Sequence, residues 1–523
     1  MTMQRRDFIS TMAAGVAQAA RGQTSSARRT RPNILMLMAD QHRTDCVGAY
    51  GNPLIRTPNI DRIAHEGVRF DCAYTSTPSC TPARSALLTG LSPWHHGMLG
   101  MVRMATRYPL EKPRALAEAG YYTTVIGKNH FYPMRNPHGY HQMILDEHCS
   151  YWFHKAKPAE AAASEDRCDY EAWFWSQAPM ADPHATDLSW NDYRGRAFAL
   201  PEHLHATRWT GDTAVNFLKT YERPEPFFLK VSFIRPHSPY DPPARCLKTY
   251  EDTAIPKAKA GPWAKRYEPR SGDDNEIWHG KLSSDVVRQS RQAYWGSVSY
   301  VDEQIGRILE VLDQRGILDE TLIVFLSDHG DMLGDHNLWR KTYAYEQSAR
   351  VPMLMRWPTG LISAQRGQHM SQPVGLRDIL PTFLEASGAP APQNIDGRSL
   401  LSLVRTHGEG WREWIDLEHN VCYSPENHWN GFSDGRTKYV FHARDGEEQL
   451  FDLAKDPGEL TDLAGDTAHA DRLRLWRGRM LEHLSERGDE FVKGGKLVLR
   501  PKGKATSPKF PGYAEVAGVK ASY

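Results

Sequence analysis

Short unbroken apolar runs recur along this chain, each bounded by turn-forming residues. They fall at 33–40 (NILMLMAD), 121–127 (YYTTVIG), 226–234 (PFFLKVSFI), 321–328 (TLIVFLSD) and 351–357 (VPMLMRW). Runs of this length with no polar alternation predict strands buried on both faces. Helical signals lie between them. Thr57 as N-cap, Pro58 at the first helical position and Gly67 as terminator predict a helix over TPNIDRIAHEG. Val298, Val301, Ile305, Ile308 and Leu312 share one face of a longer helix that Gly316 ends. Strands alternating with helices predict an α/β domain, a mostly parallel sheet covered on both sides.

Past residue 390 the pattern changes. The stretch 435–453 (GRTKYVFHARDGEEQLFDL) predicts two strands turning at Asp445-Gly446. A helix with Leu473, Trp476, Met480 and Leu484 on one side follows. The second unit is therefore a small antiparallel sheet with a terminal helix. The predicted division is an export signal at 1–21, a linker at 22–32, a catalytic α/β domain at 33–390, an α+β subdomain at 391–499 and a tail at 500–523. The stretches 151–210 and 254–290 are polar, aromatic-studded and aperiodic, and predict long loops.

A chain of 523 residues exceeds one ordinary core, which agrees with two units. Its 64 basic and 63 acidic residues leave a net charge of +1, without the basic excess that nucleic-acid binding exploits. No apolar run approaches the roughly 20 residues that span a bilayer. The seven cysteines show no Cys-x-x-Cys spacing, so neither a zinc cage nor a disulfide framework is signalled. At the start, Arg5-Arg6 with Phe8, an Ala-rich stretch and Ala17-Gln18-Ala19 resemble a twin-arginine export signal, which predicts a periplasmic or secreted protein that engages that export machinery.

The apolar runs end in polar residues. The first ends in Asp40-Gln41, the second in Lys128 and His130, the third in His237 and the fourth in Asp328-His329. Each alone has an ordinary role as a cap, a turn residue or a loop hydrogen-bonder. Together they stand at the carboxyl ends of strands, where open α/β sheets gather ligands. Asp40, Gln41, Asp328 and His329 offer two carboxylates, an amide oxygen and an imidazole, a donor set for a divalent metal that would neutralise an oxyanion substrate. Cys80 opens a further helix, with Pro82 in its first turn, so its thiol would lie near free N–H groups and the positive end of the helix dipole. Two readings of Cys80 follow from the residues alone: an acidified nucleophile, or a buried cysteine at a helix start.

Cys80-Thr81-Pro82-Ala83-Arg84, continued by SALLTG, resembles the signature of the type I sulfatases. The blocks PNILMLMADQHRTDCVGAYGNPLIRTPNIDRIAHEGVRF, GKNH, RPHSPY, SDHGDMLGDHNLWRK and QLFDLAKDPGELTDLA are similar to family blocks in family order. The resemblance covers about residues 31–465 and implies an alkaline-phosphatase-like fold. It also implies that Cys80 is oxidised to formylglycine (3-oxoalanine) by a formylglycine-generating or equivalent enzyme. One hydroxyl of the aldehyde hydrate, held near the metal, attacks sulfur; the other then collapses to the aldehyde and releases sulfate.

Matched by position, Arg84 supports the hydrate, Lys128 and Lys341 bind sulfate oxygens, His130 accepts a proton in the release step and His237 is the general acid. Asp40, Asp328 and His329 match metal positions, with Gln41 and the modified Cys80 beside them. Calcium is the ion implied. Gln41 and His329, where many relatives carry aspartate and asparagine, bring in manganese as an alternative. The same Asp-Gln and Asp-His pairs resemble phosphonate monoester and phosphodiester hydrolases, which share the nucleophile. A third reading is a non-catalytic binder of sulfated glycans whose Cys80 stays a thiol. For the substrate, a sulfated small molecule or glycan, two stretches offer aromatic faces beside hydrogen-bonding groups. One runs from 151 onward with Trp173 and Trp175; the other holds His419, Tyr423, Glu426, Asn427, His428 and Trp429.

Overall fold

The computed structural model describes residues 31–147, 168–183, 185–390, 392–424 and 427–512. The predicted export signal and Glu426 lie outside the described residues. The central sheet has eight strands: β1 (Asn33–Asp40), β2 (Val68–Phe70), β3 (Tyr122–Gly127), β4 (Gln142–Leu145), β5 (Phe227–Pro236), β6 (Thr321–Ser327), β7 (Met353–Arg356) and β8 (Gln368–Met370). Their order across the sheet is β4-β3-β5-β1-β6-β7-β2-β8. From β4 to β6 every pair is parallel, and β7 runs antiparallel to both of its neighbours.

The apolar runs are unbroken because both faces are covered. Ile34, Met36 and Met38 of β1 enter one core; Leu35, Leu37 and Ala39 enter the other. Among the helices are α1 (Pro58–His65), α2 (Cys80–Thr89), α3 (Asp169–Gln177), α4 (Ala206–Thr220), α5 (Ser284–Gln314) and α6 (Ala470–Ser485). On one side α2 brings Ala83, Ala86 and Leu87; on the other α5 brings Val301, Ile305, Ile308 and Leu312. Thr57 precedes α1 as predicted, but its hydroxyl accepts from the Gly48 amide and donates to Asp61 instead of capping the helix.

The second unit is a four-stranded antiparallel sheet of β9 (Ile415–His419), β10 (Trp429–Ser433), β11 (Thr437–His442) and β12 (Glu448–Asp452) in sequential order. Trp476, Met480 and Leu484 of α6 pack on Phe432, Tyr439 and Leu450. Residues 500–512 run back over the first unit: the amides of Leu99 and Gly100 both donate to the Ala505 carbonyl, at 2.9 and 3.1 Å.

Two predicted loops carry more order than their composition suggested. Residues 169–177 form α3, whose Tyr170 and Phe174 are core residues and whose Trp173 lies 6.5 Å from the Trp209 ring. Trp173 and Trp175 thus pack, partly buried, against the core of the first unit, a role their periodicity hid because acidic and aromatic residues alternate on so short a helix. Within 254–290 a short 3-10 helix, Pro262–Tyr267, leads to Trp278 at the wall of a cavity.

Candidate active site

Asp40 closes β1, and Lys128, His237 and Asp328 each follow the last residue of β3, β5 and β6. In parallel strands at matched register, Ala39 lies opposite Ser327 and Gly127 opposite Ser232, so these ends share one edge. The sheet therefore gathers four polar residues, scattered over some three hundred positions, into one crevice.

Helix α2 points into that crevice. Ser79 is extended (φ −154°), Cys80 begins the helix, and Gly90 ends it at φ +72°. Every residue of α2 is buried. Arg84, one turn after Cys80 and on the same face, reaches three strand ends. Its Nη2 donates to Asp40 Oδ2 at 3.0 Å, its Nε to Asp328 Oδ2 at 2.9 Å and its Nη1 to the Lys128 carbonyl at 2.8 Å. Lys128 Nζ adds a second cation 2.6 Å from Asp40 Oδ2.

With both Oδ2 atoms engaged, the Oδ1 atoms turn inward. Asp40 Oδ1 is buried without a hydrogen-bond partner, and Asp328 Oδ1 accepts only the amides of Gln41 and His329. His329 is oriented by Nδ1, 3.0 Å from the Gly330 carbonyl, which leaves Nε2 facing Cys80 Sγ at 3.2 Å and Asp40 Oδ1 at 3.7 Å. Ligand atoms of Asp40, Cys80, Asp328 and His329 all lie within 4.8 Å of one another. Gln41, at φ +67°, donates its amide nitrogen to Asp331 Oδ2 at 2.5 Å, and its oxygen accepts from Lys341 Nζ at 3.0 Å. An orphaned carboxylate oxygen beside a carboxylate, an imidazole and an amide oxygen fits a divalent cation.

Lys341 faces this cluster from a later loop. Its Nζ lies 3.1 Å from Cys80 Sγ and 3.0 Å from His237 Nε2. Burial is the largest single influence on the Cys80 thiol and pushes it up, and Asp40 pushes the same way, but Lys341, His329 and Lys128 together hold the thiol well below its ordinary range. Asp40 is likewise held well below the usual carboxylate range, against its burial, by Lys128 first and then His237 and Arg84. Burial and the Lys341 charge push His237 well down; its Nδ1 meets the Ser238 carbonyl at 2.7 Å and its ring lies 4.6 Å from Trp190. His130 is at the same edge, with its amide donating to Glu147 at 2.8 Å, but its ring is not among the polar contacts of Cys80.

The residues predicted to meet substrate divide. His419, at the end of β9, places Nε2 3.0 Å from Ser79 Oγ, at the start of α2. Trp429 Nε1 donates to the Thr342 carbonyl at 3.0 Å, and Asn427 Nδ2 donates to the Thr342 hydroxyl. His428 is buried at β10's start, close under Gly503. Tyr423 (φ +63°) stands over Arg340 and stacks on Trp278. Trp278, Tyr343, Asn427, Trp429, Arg266 and His442 help line a cavity of about 460 Å³.

Several organising residues escaped the sequence reading. Asp331 accepts from Gln41, from the Tyr240 hydroxyl at 2.6 Å and from the amides of Leu333 and Arg340. Its place in the SDHGD run was the only available signal. Ser79, Arg340 and Thr342 carried none, since their roles depend on partners distant in sequence.

Solved structures agree on the class: this is the alkaline-phosphatase-like α/β fold. The phosphonate monoester hydrolase of Agrobacterium radiobacter superposes with a TM-score of 0.71 at 25% identity, over 90% of this chain and all of its own. Residues 32–389 match the Sulfatase family, and residues 334–486 match N-sulphoglucosamine sulphohydrolase, C-terminal. An arylsulfatase of Clostridium perfringens is 37% identical over 472 residues, 90% of this chain and 97% of that protein. An N-acetylglucosamine-6-O-sulfatase of Bacteroides thetaiotaomicron is 26% identical over 507 residues, 84% of each chain. The chain belongs to the sulfatase family, and it is a sulfuric ester hydrolase. Among the described residues no helix is long and apolar enough to cross a membrane.

Proposed function

We propose that this enzyme releases sulfate from a sulfated carbohydrate, using a formylglycine made from Cys80 and one divalent ion. The observation that carries the reading is the setting of Cys80 Sγ, 3.1 Å from Lys341 Nζ and 3.2 Å from His329 Nε2, beside the orphaned Asp40 Oδ1. The thiol marks the position that formylglycine oxygens would take. Formylglycine supplies, as its hydrate, an oxygen nucleophile and an exit for sulfate that needs no second attack by water. The ion supplies charge neutralisation at the sulfate oxygens.

The chain's own groups do the rest. Asp40, Asp328, His329 and Gln41 are the residues to hold the ion, and Arg84 sets the pitch of both carboxylates through their outer oxygens. Lys128 and Lys341 bring positive charge to the sulfate from two sides. His237 is the proton donor to the departing alcohol. Lys341 and burial keep its ring neutral in the free site, and an arriving sulfate offsets that lysine and favours the imidazolium. His130 takes up the proton in the release step. Calcium is the proposed ion; the imidazole of His329 makes manganese the alternative.

The carbohydrate substrate is supported by the N-acetylglucosamine-6-O-sulfatase relative and by the aromatic cavity next to Thr342. The paired Arg5-Arg6 supports export by the twin-arginine route, after a formylglycine-generating or equivalent enzyme has acted on Cys80. A phosphonate or phosphodiester hydrolase is the second reading, favoured by the fold match to a phosphonate monoester hydrolase.

Peptide mass spectrometry of the Cys80 segment, combined with sulfate release from sulfated sugars and turnover of a phosphodiester, tests these readings. Formylglycine with sulfate release and little phosphodiester turnover is the expected result. An unmodified thiol in active enzyme, or full activity in Cys80→Ala, would sink the mechanism. Faster turnover of the phosphodiester would favour the second reading.

A further inference from the structure

Arg340 carries a guanidinium that the fold buries without satisfying. The residue is 8% exposed, and its Nε and Nη2 have no hydrogen-bond partner. Glu276 Oε2, 3.8 Å from Nη2, is a loose ion-pair partner that lies beyond hydrogen-bond range. Asp331 is already engaged by Gln41, Tyr240 and two backbone amides, one of them Arg340's own. A buried donor left unmet costs about 1–3 kcal/mol, more when charged.

The backbone keeps the side chain there. Arg340 sits at φ +65°, a region unfavourable to a residue with a Cβ, and is held by its amide to Asp331 Oδ1 at 3.1 Å and its carbonyl to the Met332 amide at 2.7 Å. Its neighbour in the chain is Lys341, whose Nζ is 3.1 Å from Cys80 Sγ. The guanidinium carbon lies 5.2 Å from the Tyr423 ring centre, and Tyr423 stacks on Trp278 at 6.4 Å and 21°. Trp278 lines the cavity of about 460 Å³, within the size range of small-molecule sites. The Cys422 thiol and the Tyr423 hydroxyl, pushed up chiefly by burial, both feel Arg340 and Cys80, which puts the four groups in one charge neighbourhood.

We propose that Arg340, backed by Tyr423 and Trp278, is a specificity residue that binds a second oxyanion of the substrate, a sugar carboxylate or a second sulfate, beside the sulfate under attack. The planar fork of the guanidinium pairs with such groups bidentately, and the aromatic ring beneath holds it flat. Lys341 and Arg340, adjacent in sequence, then divide two anions between them. This deepens the sulfate-ester reading and rests on it.

The test compares kcat/KM for 4-nitrophenyl sulfate, glucosamine 6-O-sulfate, glucosamine 2-N,6-O-disulfate and a 2-O-sulfated uronate. The wild-type enzyme is expected to favour one of the last two over glucosamine 6-O-sulfate, and the one preferred tells sulfate from carboxylate. In Arg340→Gln the ratio of kcat/KM for that substrate to kcat/KM for 4-nitrophenyl sulfate is expected to fall at least about 10-fold, as loss of a charge-assisted bond implies. Arg340→Lys keeps a cation but not the fork; it retains part of the preference, and it carries the test should the glutamine variant fail to fold. Equal loss on all substrates, or a wild-type enzyme indifferent to the second anion, overturns the proposal. Absence of turnover on every sulfate ester, with formylglycine present, instead overturns the sulfate-ester reading beneath it.

Discussion

Trp429 Nε1 donates to the Thr342 carbonyl at 3.0 Å, so a residue of the antiparallel sheet grips the chain one position after Lys341. Thr342 stands at φ +85°, a conformation a β-branched residue rarely adopts. Such a state persists when its surroundings over-determine it. Here the Thr342 amide donates to the Pro78 carbonyl at 2.8 Å, Asn427 donates to its hydroxyl, and Trp429 holds its carbonyl. The second unit thus shapes the turn that aims a lysine at Cys80.

Loss of this grip should be felt in catalysis more than in stability. Trp429→Phe removes the Nε1 donor shared by the Thr342 carbonyl and Asn427 Oδ1; kcat/KM for an aryl sulfate is expected to fall about 3- to 10-fold. Asn427→Ala is expected to act in the same direction. Steady-state kinetics beside melting curves checks this, and unchanged kinetics in both variants would show that Lys341 needs no such brace.

Arg84→Lys separates charge from geometry. The lysine keeps a cation beside Asp40 and Asp328 but cannot hold both outer oxygens and the Lys128 carbonyl at once. Second-layer partners of metal ligands typically govern 10- to 100-fold in metal affinity. Titrating metal-stripped enzyme by calorimetry is expected to show a loss of about that size, with activity at low metal following it.

Metal removal should reach the fold as well. An ion bound at a hundred times its dissociation constant adds about 2.7 kcal/mol to stability. Dialysis against a chelator is expected to abolish sulfate release and lower the melting temperature, and calcium or manganese to restore both. Full activity after verified removal of all divalent ions would contradict the metal role of Asp40 and Asp328.

Lys112 gives a stability prediction away from the site. Its Nζ lies among Met36 Sδ at 3.4 Å and the rings of Phe228 and Phe383, and burial pushes its pKa down to about 7 from an ordinary 10.5. Between those values the unfolded chain binds a proton that the folded one does not, so stability rises with pH across that window. Below about pH 7 the lysine is charged in both states and the full burial penalty applies. Lys112→Met is expected to raise stability at neutral pH by roughly 1–4 kcal/mol. The gap to wild type should narrow as pH rises toward 10.5, as denaturant melts at several pH values would register.

Much of this enzyme was legible before any coordinates. Unbroken apolar runs declared strands covered on both faces, as the two cores on either side of β1 bear out. Asp445-Gly446 marked the turn between β11 and β12. The polar residues ending four runs announced a shared crevice, because parallel strands in register must present their ends together. Such signals are local, written in periodicity and in turn chemistry.

What the chain could not declare depends on partners far apart in sequence. The stretch around Trp173 and Trp175 read as a loop and forms α3, with Tyr170 and Phe174 in the core and the two tryptophans partly buried against it, because packing against Trp209 is invisible in a short helix without clear periodicity. Asn427 and Trp429 read as sugar contacts; tertiary structure sets them in a cavity wall and also bonds them to Thr342, some 85 residues away, a link their spacing could not show. Arg340 read as one residue of the LWRK block. Only the fold, by filling Asp331 with other donors and standing Glu276 beyond hydrogen-bond reach, left two of its buried N–H groups without acceptors. Composition and spacing determine which elements form and where their ends lie; which hydrogen bonds remain unmade is settled when all the elements compete for the same few acceptors.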